Sequence, residues 1–442
     1  MFGPDEASYT GIRGYSQSSR YRCVSSNREC GLYYRSVDFI GAAFYSIARV
    51  AMNLIFNSLG GLGIFLYGLK LLSDTLQKLS SSKLQSFFDK FTKNKLLGIG
   101  LGAVVTSILQ SSSATTVILV GFANAGVIKL SQSISIIFGA NIGTTITAQI
   151  IAFKSSELAL PLIGVSAILW LMSKKMRNTS HLLLGLGLLF LGLDIMGTYL
   201  KTLKDIPLFS ELFVRFGTNP ILGILIGAFV TVLLQSSSAT TGMIIALAGM
   251  GALNFQSAFA LELGGNIGTT ITAQIAAINT TVTARRTAWA HTLFNVIGSG
   301  YMLVLFYVKL NGQPIFLHLI DKVTPGNVFA GENLTRHIAN AHTVFNVFNA
   351  VMLFPFINKL GKLTEYIIPG DSQSDIPPVS YIDDRLASSP TVALLQARKE
   401  LGQINQYVRT LATLACYDLS HDKKRDIKKP QSIENTVNTL HD

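Results

Sequence analysis

The heptapeptide QSSSATT occupies residues 110–116 and recurs, letter for letter, at 235–241. Each copy sets six polar side chains around one alanine, preceded by "TSIL" in the first case and "TVLL" in the second. Polar groups inside an apolar run cost free energy unless they are hydrogen-bonded or bound to something. The question is what two buried serine-threonine clusters are for.

Their surroundings favour a membrane. Of 442 residues, 49% are hydrophobic and 14% charged, whereas soluble domains average roughly 25% charged. Apolar blocks lie at 55–76, 131–153, 158–173, 182–200, 256–278, 287–309 and 337–358, besides the two holding QSSSATT. A helix rising about 1.5 Å per residue crosses some ~30 Å of hydrocarbon at such lengths, with 158–173 the marginal case. A buried soluble helix is a fair reading of any one block and a poor reading of the whole series.

The net charge of +12 does not mark a nucleic-acid binder. Its positive residues gather in short loops beside the spans: Lys78, Lys83, Lys90, Lys93 and Lys95; Lys174, Lys175 and Arg177; Arg285 and Arg286; Lys359 and Lys362. Such clustering is what sets the orientation of membrane proteins. Cys23, Cys30 and Cys416 lie outside the spans without metal-ligand spacing, so neither a disulfide framework nor a zinc site is expected. Residues 1–53 read as a poorly ordered tail, or in part as an artefact of the assigned start, since Met52 opens a natural membrane-protein beginning.

One offset of 125 residues aligns 98–153 with 223–278 without a gap. QSSSATT and NIGTTITAQI (141–150 and 266–275) are identical in both copies, while between them only three of 24 positions agree. Identity concentrated in polar residues marks an internal repeat kept for what those residues coordinate. The segment Gly98–Leu109 would be only about 18 Å long as a helix, so 98–126 is expected to be a re-entrant hairpin or a helix broken at the serines. Three crossings then separate the two hairpins. An odd number inverts the second copy and places all four basic clusters on one side.

A helix break at membrane depth is tolerated where it faces protein or a water-filled cavity. Free helix N-termini attract anions, and serine caps such ends well. Ser112, Thr115 and Thr116 fall on one helical face at i, i+3 and i+4. Hydroxyls of this kind, with Thr240 and Thr241 in the second copy, also suit a small hard cation such as sodium. The asparagine blocks add an amide and two hydroxyls between glycines that permit bending or close helix packing. No Arg or Lys lies in either repeat core except Lys129 at a turn. An anion held there is therefore expected to rely on dipoles, hydroxyls and co-bound cations, which makes coupling to sodium obligatory.

At these motifs the chain resembles the type II sodium–phosphate cotransporter family, in its bacterial branch. Both QSSS motifs, "GANIGTT" (139–145), "GGNIGTT" (264–270) and "HTLFN" (291–295) carry the resemblance, which covers roughly 54–362. It implies an all-α polytopic membrane protein of two inverted repeats, each with a re-entrant helical hairpin, moving inorganic phosphate with sodium as coupling ion and no other cofactor. It implies phosphate and sodium sites built from Gln110, Ser111, Ser112, Ser113, Asn141, Thr144, Thr145, Gln235, Ser236, Ser237, Ser238, Asn266, Thr269 and Thr270. Bacterial relatives often add a PhoU-like helical domain; 385–420 fits its opening helix within a C-terminal tail at 363–442, and the domain reads as truncated.

Other polar residues have plainer readings. His291 and His342, each before a Phe-Asn pair, read as helix-packing hydrogen-bonders. Glu262 replaces Ile137 of the first copy, four residues before Asn266. It reads as a cation-coupling carboxylate or a local structural partner. Lys70 and Asp74, at i and i+4, read as an ion pair near the end of the first span. No G-x-S-x-G elbow supports a hydrolase, and no enzyme is expected. The chain is expected in the inner cell membrane, with phosphate, sodium and lipid as partners and a homodimer open. Transport of another oxyanion, phosphate export, a phosphate sensor and an anion channel are the rival readings.

Overall fold

The computed structural model describes residues 52, 56–79, 94–124, 126, 128–153, 156–200 and 219–370, with scattered residues between 394 and 413. All but Met52 belong to one unit, Leu54–Asp442. Residues 1–51 and most of the expected PhoU-like helix lie outside the described residues; those described between 394 and 413 are helical.

The protein is an all-α membrane protein. Five described helical segments are long and apolar enough to cross a membrane: Phe56–Leu79 (α1), Leu130–Ile151, Lys174–Tyr199, Val282–Tyr307 and Leu334–Ile367. Between α1 and Leu130–Ile151 (α4) come two shorter helices, Lys95–Leu109 (α2) and Ser112–Asn124 (α3). Ser156–Met172 (α5) and Arg177–Leu200 (α6) follow, then a second short pair, Pro220–Leu234 (α7) and Ser237–Gly249 (α8). The chain continues through Phe255–Thr269 (α9), Ile271–Ala276 (α10), Val282–Tyr307 (α11), a two-residue hairpin ladder, Ile315–Val323 (α12), Leu334–Leu353 (α13) and Ile357–Ile367 (α14). The continuous span expected at 256–278 is thus interrupted at Thr270, whereas its counterpart α4 is unbroken. Nothing in the structure explains that difference.

The first arm of each short pair lies against the asparagine helix of its own copy, backbone to backbone. A Cβ on Gly102 would overlap the carbonyl oxygen of Ile136, and one on Gly139 that of Ile99. The second copy repeats this: Gly227 meets the Leu261 carbonyl and Gly264 that of Ile224. Without a hydrophobic drive between helices in lipid, such small-residue contacts are what pack them. The glycines of the asparagine blocks therefore serve packing.

Contacts also tie particular helix ends together. Lys95 at the start of α2 donates to Asn358 Oδ1 at 2.9 Å. Asn124 at the end of α3 accepts from the Thr281 N–H that precedes α11. Arg286, near that end of α11, donates to the carbonyls of Ile368 and Gly370. α2 thus begins beside the start of α14, and α3 ends beside the start of α11, onto which the far end of α14 docks. Toward the other end of α11, Phe259 near the start of α9 stacks on Phe306 and Phe316, and Gly249 at the end of α8 lies against Thr335.

Candidate functional site

Each QSSS motif is a helix break. α2 ends at Gln110 (φ 54°, ψ 25°) and α7 at Gln235 (φ 52°, ψ 25°), both left-handed. Non-glycine residues seldom adopt this conformation, and strain of this kind collects at functional sites. It lets the chain reverse. Ser111 and Ser236 then cap the return arms, their Oγ atoms accepting from the N–H groups of Ala114 (3.1 Å) and Ala239 (3.2 Å). Across each break a threonine pair joins the arms: Thr106 Oγ1 donates to Thr115 Oγ1 at 2.8 Å, and Thr231 and Thr240 share a bond of 2.8 Å. Partners nine residues apart and centred on the break make each pair of helices a hairpin.

Both breaks open onto one cavity of about 260 Å³. From the first copy it is lined by Gln110, Ser111 and Ser113, and from the second by Gln235, Ser236, Ser237 and Ser238. The N-termini of α3 and α8 meet there, so two sets of free N–H groups and two helix dipoles favour negative charge at the same place. The copies are not equivalent. Gln110 is buried, with Oε1 accepting from Thr147 and Nε2 donating to Ser107 O, while Gln235 is exposed. Ser112 is buried and does not line the cavity.

The first helix changes the electrostatic picture. Leu66, Leu69, Lys70, Ser73 and Asp74 of α1 complete the lining. Ser73 Oγ donates to Leu109 O at 2.6 Å, docking this turn at the residue before the first break. Lys70 brings a side-chain cation to the site, where the sequence reading relies on dipoles, hydroxyls and co-bound cations alone. That reading covered the repeat cores, and α1 precedes them in sequence. Nor do Lys70 and Asp74 form the expected ion pair among the described residues, although their spacing permits one.

The asparagine blocks lie deeper and outside the cavity lining. Asn141 Oδ1 accepts from Asn295 Nδ2 at 3.3 Å, and Asn266 Oδ1 pairs with His342 Nε2 at 3.2 Å. Thr144, Thr145, Thr269 and Thr270 are buried, their hydroxyls bonded back to Ala140, Ile142, Gly265 and Ile267 carbonyls. Glu262 and His342 form a contact of 3.1 Å between Oε1 and Nδ1, with both side chains 2% exposed. Thr241 Oγ1 donates to that carboxylate oxygen at 2.6 Å. In the first copy Ile137 replaces the carboxylate, and the matching groups stand alone: Thr116 Oγ1 and both ring nitrogens of His291 are buried without a hydrogen-bond partner. His342 is thus the hydrogen-bonder expected of it; His291 is not.

HTLFN (291–295) and its copy HTVFN (342–346) bond to the asparagine-block helices. Gln149 donates to Thr343 Oγ1 at 3.0 Å, and its counterpart Gln274 to Thr292 Oγ1 at 2.8 Å. The copied spacing of the two segments was the available signal for this role. The Glu262–His342 pairing itself had none.

Fold and site together define a multi-pass helical membrane protein with a polar, anion-favouring cavity between two hairpins. The family model described as Na+/Pi-cotransporter matches residues 64–198 and 205–317, more than half of the chain, and the chain belongs to this family. It is a family of transporters, not of enzymes. The chain is 29% identical over 307 residues to "Uncharacterized protein YqeW" of Bacillus subtilis, covering 69% of this chain and 95% of that one. It is 23% identical over 394 residues to "Putative inorganic phosphate export protein YjbB" of Escherichia coli K12, covering 88% of this chain and 70% of the relative. A stretch of 111 residues, 25% of this chain, is 36% identical to human "Sodium-dependent phosphate transport protein 2B", of which it covers 15%. No solved structure matches the chain.

Proposed function

We propose that the protein moves inorganic phosphate across the inner cell membrane by sodium-coupled alternating access, with phosphate bound where the two QSSS breaks face one cavity. The observation that carries this reading is that cavity: segments 125 residues apart supply seven polar residues to a space of about 260 Å³. The transport domain is assigned to 54–362, with repeat cores 98–153 and 223–278 and tails on either side.

Inversion of the repeats is supported by the helix ends. The first hairpin starts beside Asn358 and finishes beside Thr281, near the start of α11. The second copy instead has the early turns of α9 packed on Phe306 and Phe316, toward the other end of that helix. Three of the four basic clusters are also tied or adjacent at the first end, through Lys95–Asn358 and Arg286–Gly370.

Sodium is the cargo that drives the cycle. Oxygen ligands suit such a hard cation, and buried oxygens without a hydrogen-bond partner lie beside the motifs: Thr116 Oγ1, Glu262 Oε2 and Asn295 Oδ1. The sodium sites are assigned to Thr116, Thr241 and Glu262, with Thr144, Thr145, Thr269 and Thr270 in support; Thr115 and Thr240 contribute by holding the hairpins closed. A carboxylate inside the membrane is a functional suspect in its own right. The same site serves uptake or export according to the gradients, which accommodates the export named for the Escherichia coli relative.

The test is radiolabelled phosphate flux into proteoliposomes holding the purified chain. Sodium-stimulated flux competed by arsenate supports the reading. Phosphate binding without flux would make the protein a sensor, and flux indifferent to sodium would make it a channel.

A further inference from the structure

Lys70 and Asp74 lie in the C-terminal half of the 24-residue apolar span Phe56–Leu79, yet both are exposed and both line the cavity shared by the two breaks. Charged side chains at such depth are costly unless they face a water-filled space or a partner. Here they are one helical turn apart, and the residue beside them, Ser73, is anchored to the first break by its bond to Leu109 O. Among the described residues they are not paired with each other, so both charges remain available to whatever enters.

We propose that this pair reads the charge and the protonation of the transported anion: Lys70 supplies the fixed positive charge, and Asp74 accepts the hydrogen bond of a P–O–H group. The proposal rests on the phosphate reading above and deepens it. The chemistry is asymmetric. Near neutral pH inorganic phosphate keeps at least one proton and can donate, whereas sulfate has the same shape with none. An ionised carboxylate is acceptor-only. It gains a charge-assisted hydrogen bond from hydrogen phosphate and repels sulfate, whose oxygens are acceptors too. A repulsive element of that kind is how binding sites reject near-isosteres. The serine hydroxyls and helix N-termini cannot discriminate in this way, because they serve either anion equally. Lys70 offsets the repulsion that Asp74 imposes on an anionic substrate, which is why the two belong together.

The unmodified chain in proteoliposomes gives the first readout. Sodium-driven phosphate uptake is expected to be inhibited by arsenate, which keeps a proton, and about 100-fold less well by sulfate or monofluorophosphate, dianions with no donor. Comparable inhibition by all three would overturn the proposal without any variant needing to fold. Asp74→Asn is expected to raise the phosphate KM a few-fold and strengthen sulfate inhibition at least about tenfold, because the amide can donate to sulfate. Asp74→Glu is expected to keep the rejection. Lys70→Gln is expected to raise the phosphate KM about tenfold, with partial recovery in Lys70→Arg. Unchanged sulfate rejection in Asp74→Asn, with phosphate uptake intact, would sink the assignment and leave the phosphate reading standing. Absence of phosphate uptake by the unmodified chain would instead sink the phosphate reading itself.

Discussion

Glu262 and His342 meet at 3.1 Å in the interior of the helix bundle, and the position equivalent to Glu262 in the first repeat is an isoleucine. The two halves of the protein are therefore alike in hydroxyls and amides and unlike in ionisable groups. A buried carboxylate–imidazole contact with Thr241 and Asn266 bonded around it is an arrangement that, among the described residues, only one half possesses; the proposed function makes it the candidate coupling element.

Replacing Glu262 with glutamine removes the charge and keeps the shape. The sodium concentration for half-maximal phosphate uptake is expected to rise by about tenfold, within the range usual for coupled sites. A sodium-activation curve in proteoliposomes reads this directly. An unchanged curve would reduce the pair to a structural contact.

The threonine bridges hold the hairpins closed. Thr106→Val and Thr231→Val each delete one hydroxyl and leave Thr115 or Thr240 buried without that partner. Since Thr115 and Thr240 keep their bonds to the Ser111 and Ser236 carbonyls, each is expected to lower stability by about 0.5–1.5 kcal/mol, seen as a reduced Tm in detergent. Thr106→Val/Thr115→Val, with both hydroxyls gone, is expected to cost less than the sum of its single variants. Strict additivity would mean that the two groups are not coupled.

Two glycines two residues apart, on opposite sides of α2, distinguish packing from flexibility. A Cβ on Gly102 would overlap Ile136 O, whereas nothing lies within 4 Å of one on Gly100. Gly102→Ala is expected to cost about 1–3 kcal/mol by overpacking, and Gly100→Ala to be neutral or to stabilise by up to ~1 kcal/mol through helix propensity. Thermal melts of the two purified variants test the contrast. Equal melting points would mean that α2 does not rest on α4 at this contact.

Much of this architecture was legible in the sequence, and for a physical reason. The hairpin breaks at 110–111 and 235–236 were visible because polar residues recur at one offset while the aliphatic filler between them drifts. The serine caps and opposed arms followed from ordinary helix chemistry. What stayed hidden was pairing over distance. Lys70 and Asp74 looked self-sufficient at i, i+4, and only the Ser73–Leu109 bond, 36 residues apart, brings them to the first break. Glu262 and His342 were each conspicuous, but no local pattern joins residues 80 positions apart. The paired glycines were legible as small residues without revealing whether they bend the chain or let two backbones touch.

In the proposed function both QSSS breaks hold one phosphate ion. This is tested most directly with Ser111→Cys/Ser236→Cys in a chain whose three native cysteines are replaced, treated with a short bifunctional thiol reagent in proteoliposomes. The expected result is an intramolecular cross-link that phosphate with sodium suppresses and sulfate with sodium does not. Failure of the two positions to cross-link, or a cross-link indifferent to phosphate, would contradict it.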